Sequence, residues 1–188
     1  MNIIINSAGT VEFDTRLDIS TKINVTGPLK LMQLAKECPN FEVFCQVSTL
    51  YGFVDRTGFI DEKIAYPSDH DWVKEYERIK NTNHVDIEDL QKHIIRKFPN
   101  NYCYTKRMAE ELLKEDLIKG MQQGKAVPMV FIRPSIIAAA FSEPVPGWTD
   151  SLGLINGFYA IGGHGIMRDL PVNPKMIGDQ IPVDYVSN

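Results

Sequence analysis

Hydrophobic and polar positions divide the chain into short, densely apolar runs separated by longer stretches with helical spacing. Ile3-Ile4-Ile5 is a β-branched run of the kind buried on both faces of a parallel sheet, and it closes in Asn6-Ser7-Ala8-Gly9. A helical pattern follows from Thr15 to Glu37, with Leu17, Ile23, Leu31, Leu34 and Ala35 at inward positions. Pro28 stands inside it; lacking an N–H, it leaves the carbonyl of Asn24 without its helical partner and predicts a bend there. A second strand is expected over Phe41 to Val47, with Ser48-Thr49 at its carboxyl end. The segment from Gly52 to Asn100 is more polar and too long for a simple loop, so it should carry structure of its own: helices around 72–80 and 85–97. A further helix, with Met108, Leu112 and Leu113 at helical spacing, is under way by Thr105, and Val127 to Arg133 reads as another strand, ending in Pro134-Ser135-Ile136. Beyond it, Gly157, Gly162, Gly163 and Gly165 predict a flexible loop. Asp184 predicts the cap of a helix starting at Tyr185.

Composition narrows the class. With 188 residues, 44% of them hydrophobic and 23% charged, the chain has the makeup of one soluble globular domain. Twenty basic against 24 acidic residues give a net charge of −4, and no basic run is long enough to track a phosphate backbone, so nucleic acid is a poor partner. Cys38, Cys45 and Cys103 lack C-x-x-C spacing and suit free thiols in a reducing compartment, which favours the cytoplasmic side. No apolar run approaches the roughly 20 residues that cross a bilayer. His70, between Asp69 and Asp71, reads as part of a solvated loop rather than as a metal ligand, since no second histidine stands at ligand spacing. His84, His93 and His164 are scattered likewise.

The chemistry concentrates near position 102. Tyr102 and Lys106 are four residues apart, so a helix places the phenol and the ammonium on one face, while Tyr104 points elsewhere. A neighbouring cation favours the phenolate and lowers the phenol's pKa, which would let the pair pass a proton. Ligands of open α/β sheets sit beyond the carboxyl ends of the strands, where Asn6, Ala8 and Gly9 lie; the Ser48 and Thr49 hydroxyls stand at a second strand end.

Tyr102-x-x-x-Lys106 at the head of an Ala-Glu-containing helix resembles the active-site helix of short-chain dehydrogenases/reductases. Val47-Ser48-Thr49-Leu50-Tyr51, Glu143-Pro144-Val145-Pro146-Gly147-Trp148 and Ile181-Pro182-Val183-Asp184-Tyr185-Val186 make the likeness narrower. Together they resemble the reductase domain of fatty acyl-CoA reductases, as does Glu62-Lys63-Ile64-Ala65-Tyr66-Pro67 ahead of the polar insertion. The resemblance implies an incomplete Rossmann-type α/β fold, a doubly wound parallel sheet lacking its first βαβ unit. Residues 1–188 would be a partial NAD(P)-binding reductase domain, with a helical insertion at 52–100 and the start of a substrate-binding part at 138–188.

By the same resemblance the cofactor is NADPH and the substrate a long-chain acyl-CoA, reduced to aldehyde and then alcohol. Tyr102 would donate the proton, Thr49, with Ser48 as its substitute, would hydrogen-bond the carbonyl, and Lys106 would lower the phenol's pKa and hold the ribose. The main-chain carbonyl of Asn24 would hold a water. Asn6, Ala8 and Gly9 would lie along the cofactor, with Pro134, Ser135 and Ile136 packed on the nicotinamide. The resemblance further implies association with peroxisomes or the endoplasmic reticulum. The glycine-rich turn and helix that bind the pyrophosphate do not precede Ile3, and the residue that reads the ribose 2′ position is absent, so the chain is expected to be completed by N- and C-terminal parts of the same protein. Alone it is expected to bind NADPH weakly and to self-associate. The alternatives are another extended short-chain reductase or epimerase, and a non-catalytic remnant.

Overall fold

The structure is a computed structural model and describes residues 1–63 and 68–188. Positions 64–67, within the stretch that resembles the segment ahead of the insertion, lie outside the described residues. The chain forms two compact units, Met1–Arg133 and Pro134–Asn188.

The first unit is built on three parallel strands, β1 (Ile3–Asn6), β2 (Val43–Val47) and β3 (Met129–Ile132), in the order β1-β2-β3. Asn6 pairs with Gln46, and Val47 with Ile132, so the strands' carboxyl ends are level. One face of the sheet is packed: Ile4 and Phe44 meet Met32 and Ala35 of α2 (Gly27–Lys36) and Leu113 of α5 (Asn101–Gln122). The expectation that Ile3-Ile4-Ile5 is buried on both faces does not hold. Ile4 is buried while Ile3 and Ile5 are 51% and 69% exposed, because alternate residues of a strand point to opposite faces and no described element covers the second one.

The helical run after β1 is continuous but changes pitch. Helix α1 (Leu17–Thr21) passes into a π-helical segment, Lys22–Thr26, and then into α2. The Gly27 N–H reaches back to the Lys22 carbonyl, five residues earlier. The run thus widens just ahead of Pro28. This extra residue per turn rotates the buried face, so that Asn24, Val25, Met32 and Ala35 point inward while Ile23 and Leu34, expected inside, are exposed.

The polar insertion is helical, with α3 (Trp72–Asn81) and α4 (Ile87–Ile94) packed with α1 and α5 around a second core containing Leu17, Ile79, Leu90, Tyr104 and Met108. His70 belongs to this core, not to a solvated loop. Its ring stacks on Trp72 at 4.5 Å, and its Nδ1 lies 2.8 Å from Glu75 Oε2. Helix α5 begins at Asn101, where the Asn100 side chain accepts a hydrogen bond from the Cys103 N–H.

The second unit holds a two-stranded parallel sheet, β4 (Ile136–Ala138) with β5 (Gln180–Pro182), together with α6 (Leu154–Gly163) and α7 (Val183–Ser187). Where the glycines predict a flexible loop there is helix: Gly157, Gly162 and Gly163 sit in α6 among long apolar residues, and Gly165, with φ of +70°, follows its end. Asp184 does not cap α7. It lies inside that helix, and its carboxylate accepts hydrogen bonds from the main-chain N–H groups of Phe141, Ser142 and Glu143, which hold its pKa below the ordinary carboxylate range. No described helix is long and apolar enough to cross a membrane.

Candidate active site

Three elements of the first unit meet at the carboxyl ends of β1 and β2: the loop after β1, the turn after β2, and the first two turns of α5. From Asn101 to Leu113 every residue of α5 is buried except Tyr102, which is half-buried. A packed helix thereby leaves one phenol accessible.

Lys106, one turn on, is 5% exposed, and its Nζ donates to the Val47 carbonyl at 3.1 Å. It lies 5.9 Å from the centre of the Tyr102 ring. Burial acts on both groups in the direction of neutrality, raising the Tyr102 pKa and lowering that of Lys106. The expected lowering of the phenol by Lys106 is therefore not what this arrangement produces. Desolvation outweighs every other influence on Tyr102, and the opposing influence is the Thr49 hydroxyl, which favours the phenolate.

Thr49 and Ser48 are separated by their surroundings. Thr49, extended at φ −155°, heads the 3₁₀ turn Leu50–Phe53; its Oγ1 accepts from the Tyr51 N–H and its hydroxyl faces Tyr102. The Ser48 Oγ is buried and has no hydrogen-bond partner among the described residues. Asn24 is buried in the π-helical segment, and its side chain is fully engaged. Its Oδ1 accepts from the Thr10 N–H at 2.9 Å, while its Nδ2 donates to the Thr10 carbonyl at 3.1 Å and to Thr105 Oγ1 at 3.0 Å. The amide thus ties the loop after β1 to the active-site helix.

Gly9 lies against the same cluster. A Cβ there would stand 3.0 Å from Asn24 Oδ1 and 3.1 Å from Lys106 Nζ, closer than ordinary contact. Ala8 and Gly9 are exposed, so their backbone is open to a ligand, whereas Asn6 is buried with its side chain donating to Gln46 Oε1 at 2.8 Å. The structure therefore brings together Asn6, Gly9, Asn24, Thr49, Tyr102 and Lys106. Pro134, Ser135 and Ile136 open the second unit, where Ile136 pairs with Gln180 in its sheet. Sequence reasoning missed Gln46, whose Nε2 shares the Val47 carbonyl with Lys106, and Phe13, whose ring is 5.9 Å from that of Tyr102. Gln46 carried a faint signal as a polar residue inside an apolar strand; Phe13 carried none. Among the described residues no group of acidic, histidine or cysteine side chains could hold a metal.

A parallel α/β sheet with a tyrosine, a lysine and a threonine hydroxyl at its strand ends defines a Rossmann-type domain of the reductase class. The chain belongs to the family described as "Male sterility protein", whose model matches residues 1–188, and within it the chain is fatty acyl-CoA reductase-like. It is 33% identical over 188 residues to fatty acyl-CoA reductase 1 of Gallus gallus, and 34% identical over 187 residues to fatty acyl-CoA reductases 1 and 2 of Homo sapiens. In each case all of this chain is covered but only 35% of the relative, so the chain spans about a third of the length of these proteins. Among solved structures it is similar to RMD from Pseudomonas aeruginosa complexed with NADPH, at a TM-score of 0.52 and 19% identity, over 99% of this chain and 52% of that one, a likeness of fold.

Proposed function

We propose that this chain carries the carbonyl-reducing centre of an NADPH-dependent acyl-CoA reductase that converts a long-chain acyl-CoA to the aldehyde and then the alcohol. The observation that carries this reading is the isolation of Tyr102 as the accessible residue in the buried first turns of α5, with the Thr49 hydroxyl facing it and Lys106 one turn away.

The residues present fit a dinucleotide. Gly9 leaves open backbone where a side chain would collide with Asn24 and Lys106, and Lys106 retains ammonium protons beyond the one given to Val47. Ala8, Gly9, Tyr102 and Lys106 would hold the nicotinamide half, with Pro134, Ser135 and Ile136 assigned to it by resemblance. The cofactor, when bound, supplies hydride. The raised pKa keeps the Tyr102 phenol protonated at neutral pH, so the proton that a carbonyl oxygen needs is in place. The Thr49 hydroxyl donates to that oxygen as charge develops on it, and Lys106, held by the Val47 carbonyl, would bind the cofactor's ribose. Asn24 holds the loop and helix in register.

The test transplants residues 1–188 into human fatty acyl-CoA reductase 1 in place of its matching segment and follows NADPH oxidation with palmitoyl-CoA. Acyl-CoA-dependent oxidation supports the reading. A chimera that folds and binds NADPH yet consumes none with any acyl-CoA refutes it.

A further inference from the structure

The turn that presents Thr49 is fastened to α5 by a feature the catalytic reading does not use. Phe53 closes the Leu50–Phe53 turn and is 1% exposed. The guanidinium carbon of Arg107 lies 4.0 Å from its ring centre and that of Arg133 lies 4.6 Å from it. Both cations are held in turn. Arg133 makes three contacts of 2.7–3.1 Å with the Glu110 carboxylate and donates to the Lys63 carbonyl. Arg107, 1% exposed, forms an ion pair with Glu111 at 2.8 Å whose angles fall outside those of a hydrogen bond.

Buried guanidinium groups are costly to desolvate, and an aromatic face attracts them. Here that attraction acts beside the site. Arg107 directly follows Lys106, and the turn packs on it at Gly52, where a Cβ would be in ordinary contact, 3.7 Å, with the Arg107 main-chain nitrogen. At its other end the turn is bonded back to Thr49, through Gly52 N–H to the Thr49 carbonyl and Tyr51 N–H to the Thr49 hydroxyl. Three residues separate the anchored ring from the hydroxyl, and both ends of that short turn are tied down.

We propose that Phe53, gripped by Arg107 and Arg133, is a positioning residue that sets the Thr49 hydroxyl against Tyr102. The clamp makes the hydroxyl's place a property of α5 itself, so that Thr49, Tyr102 and Lys106 keep one geometry. The inference rests on the proposed role of Thr49 for its importance, but its test does not read turnover.

Residues 1–188 are labelled with 13Cζ-tyrosine, the Tyr102 resonance is assigned with Tyr102→Phe, and spectra are taken at neutral pH, where the Cζ shift reports hydrogen bonding at the phenol oxygen. Thr49→Val defines the displacement caused by losing the hydroxyl. Phe53→Leu is expected to reproduce it in direction and in at least half its size, to add nothing in the Thr49→Val background, and to be reversed by Phe53→Tyr, which restores the ring. A folded Phe53→Leu protein with an unmoved Tyr102 resonance, or a displacement that adds to that of Thr49→Val, overturns the proposal. Should Phe53→Leu lose its fold by circular dichroism, Arg107→Met carries the test, since Glu111 remains paired with Lys114. A displacement in the Thr49→Val direction supports the clamp and an unmoved resonance overturns it. Loss of turnover in the chimera with this signature intact would refute the catalytic reading alone.

Discussion

Helices α5 and α6 invert the usual relation between composition and burial. Apart from Tyr102, the first half of α5 is buried although it carries Lys106, Arg107, Glu110 and Glu111. Helix α6 has no charged residue and no buried one; Leu154 and Tyr159 are 59% and 55% exposed. The difference lies in partners. Each charged group of α5 meets a specific acceptor, counter-ion or ring, so its desolvation is offset, while the apolar side chains of α6 have little described surface of their own unit to pack against. Hydrophobicity drives burial only where a complementary face exists, and these charges persist in the interior because a counter-ion, an acceptor or a ring offsets each of them.

The sharpest way to break this contrast is to remove one answer. Glu110→Ala leaves the Arg133 guanidinium, whose side chain is 16% exposed, without its carboxylate. It is expected to cost about 3 kcal/mol in urea unfolding, the scale for orphaning a buried charge. A loss under about 1 kcal/mol would mean the α5 charges are incidental.

Lys106 tests the same idea with the opposite sign. Burial lowers its folded-state pKa below the unfolded value, so the unfolded chain binds more protons and wild-type stability climbs as pH rises towards about 10.4. Methionine does not titrate, and Gln46 still donates to the Val47 carbonyl at 3.1 Å. Lys106→Met should therefore raise stability at pH 7, by about 1 kcal/mol for a buried polar group removed, with a smaller gain at about pH 10. Urea melts at the two pH values decide it, and a gain that grows with pH contradicts the assignment. On α6, Phe158→Ser should change stability by less than about 0.5 kcal/mol, because its ring, 44% exposed, has little burial to lose. A cost near that of Glu110→Ala would erase the contrast.

How much of this was legible in the sequence follows from the range of each signal. The four-residue spacing of Tyr102 and Lys106 is local, and strand ends mark Gly9 and Thr49 by position. Contacts such as Asn24 with Thr105, or Phe53 between Arg107 and Arg133, join residues far apart in the chain and leave no periodic trace. The π-helical segment turned Ile23 and Leu34 outward because a 3.6-residue period assumes a constant pitch. His70 looked solvated because its acidic neighbours dominate the local pattern, while the aromatic residues that enclose it come from Trp72, Phe98 and Tyr104. The helical reading of α6 was lost to four glycines, whose propensity its apolar neighbours outweigh.

The accessible phenol in the otherwise buried first half of α5 is the centre of the account, and one substitution addresses it. In the chimera with human fatty acyl-CoA reductase 1, Tyr102→Phe removes a single oxygen, and acyl-CoA-dependent NADPH oxidation is expected to fall by about 10²–10⁴-fold while NADPH binding is retained, the range for losing a general acid. A fall of less than about tenfold would contradict the account and place the proton donor elsewhere.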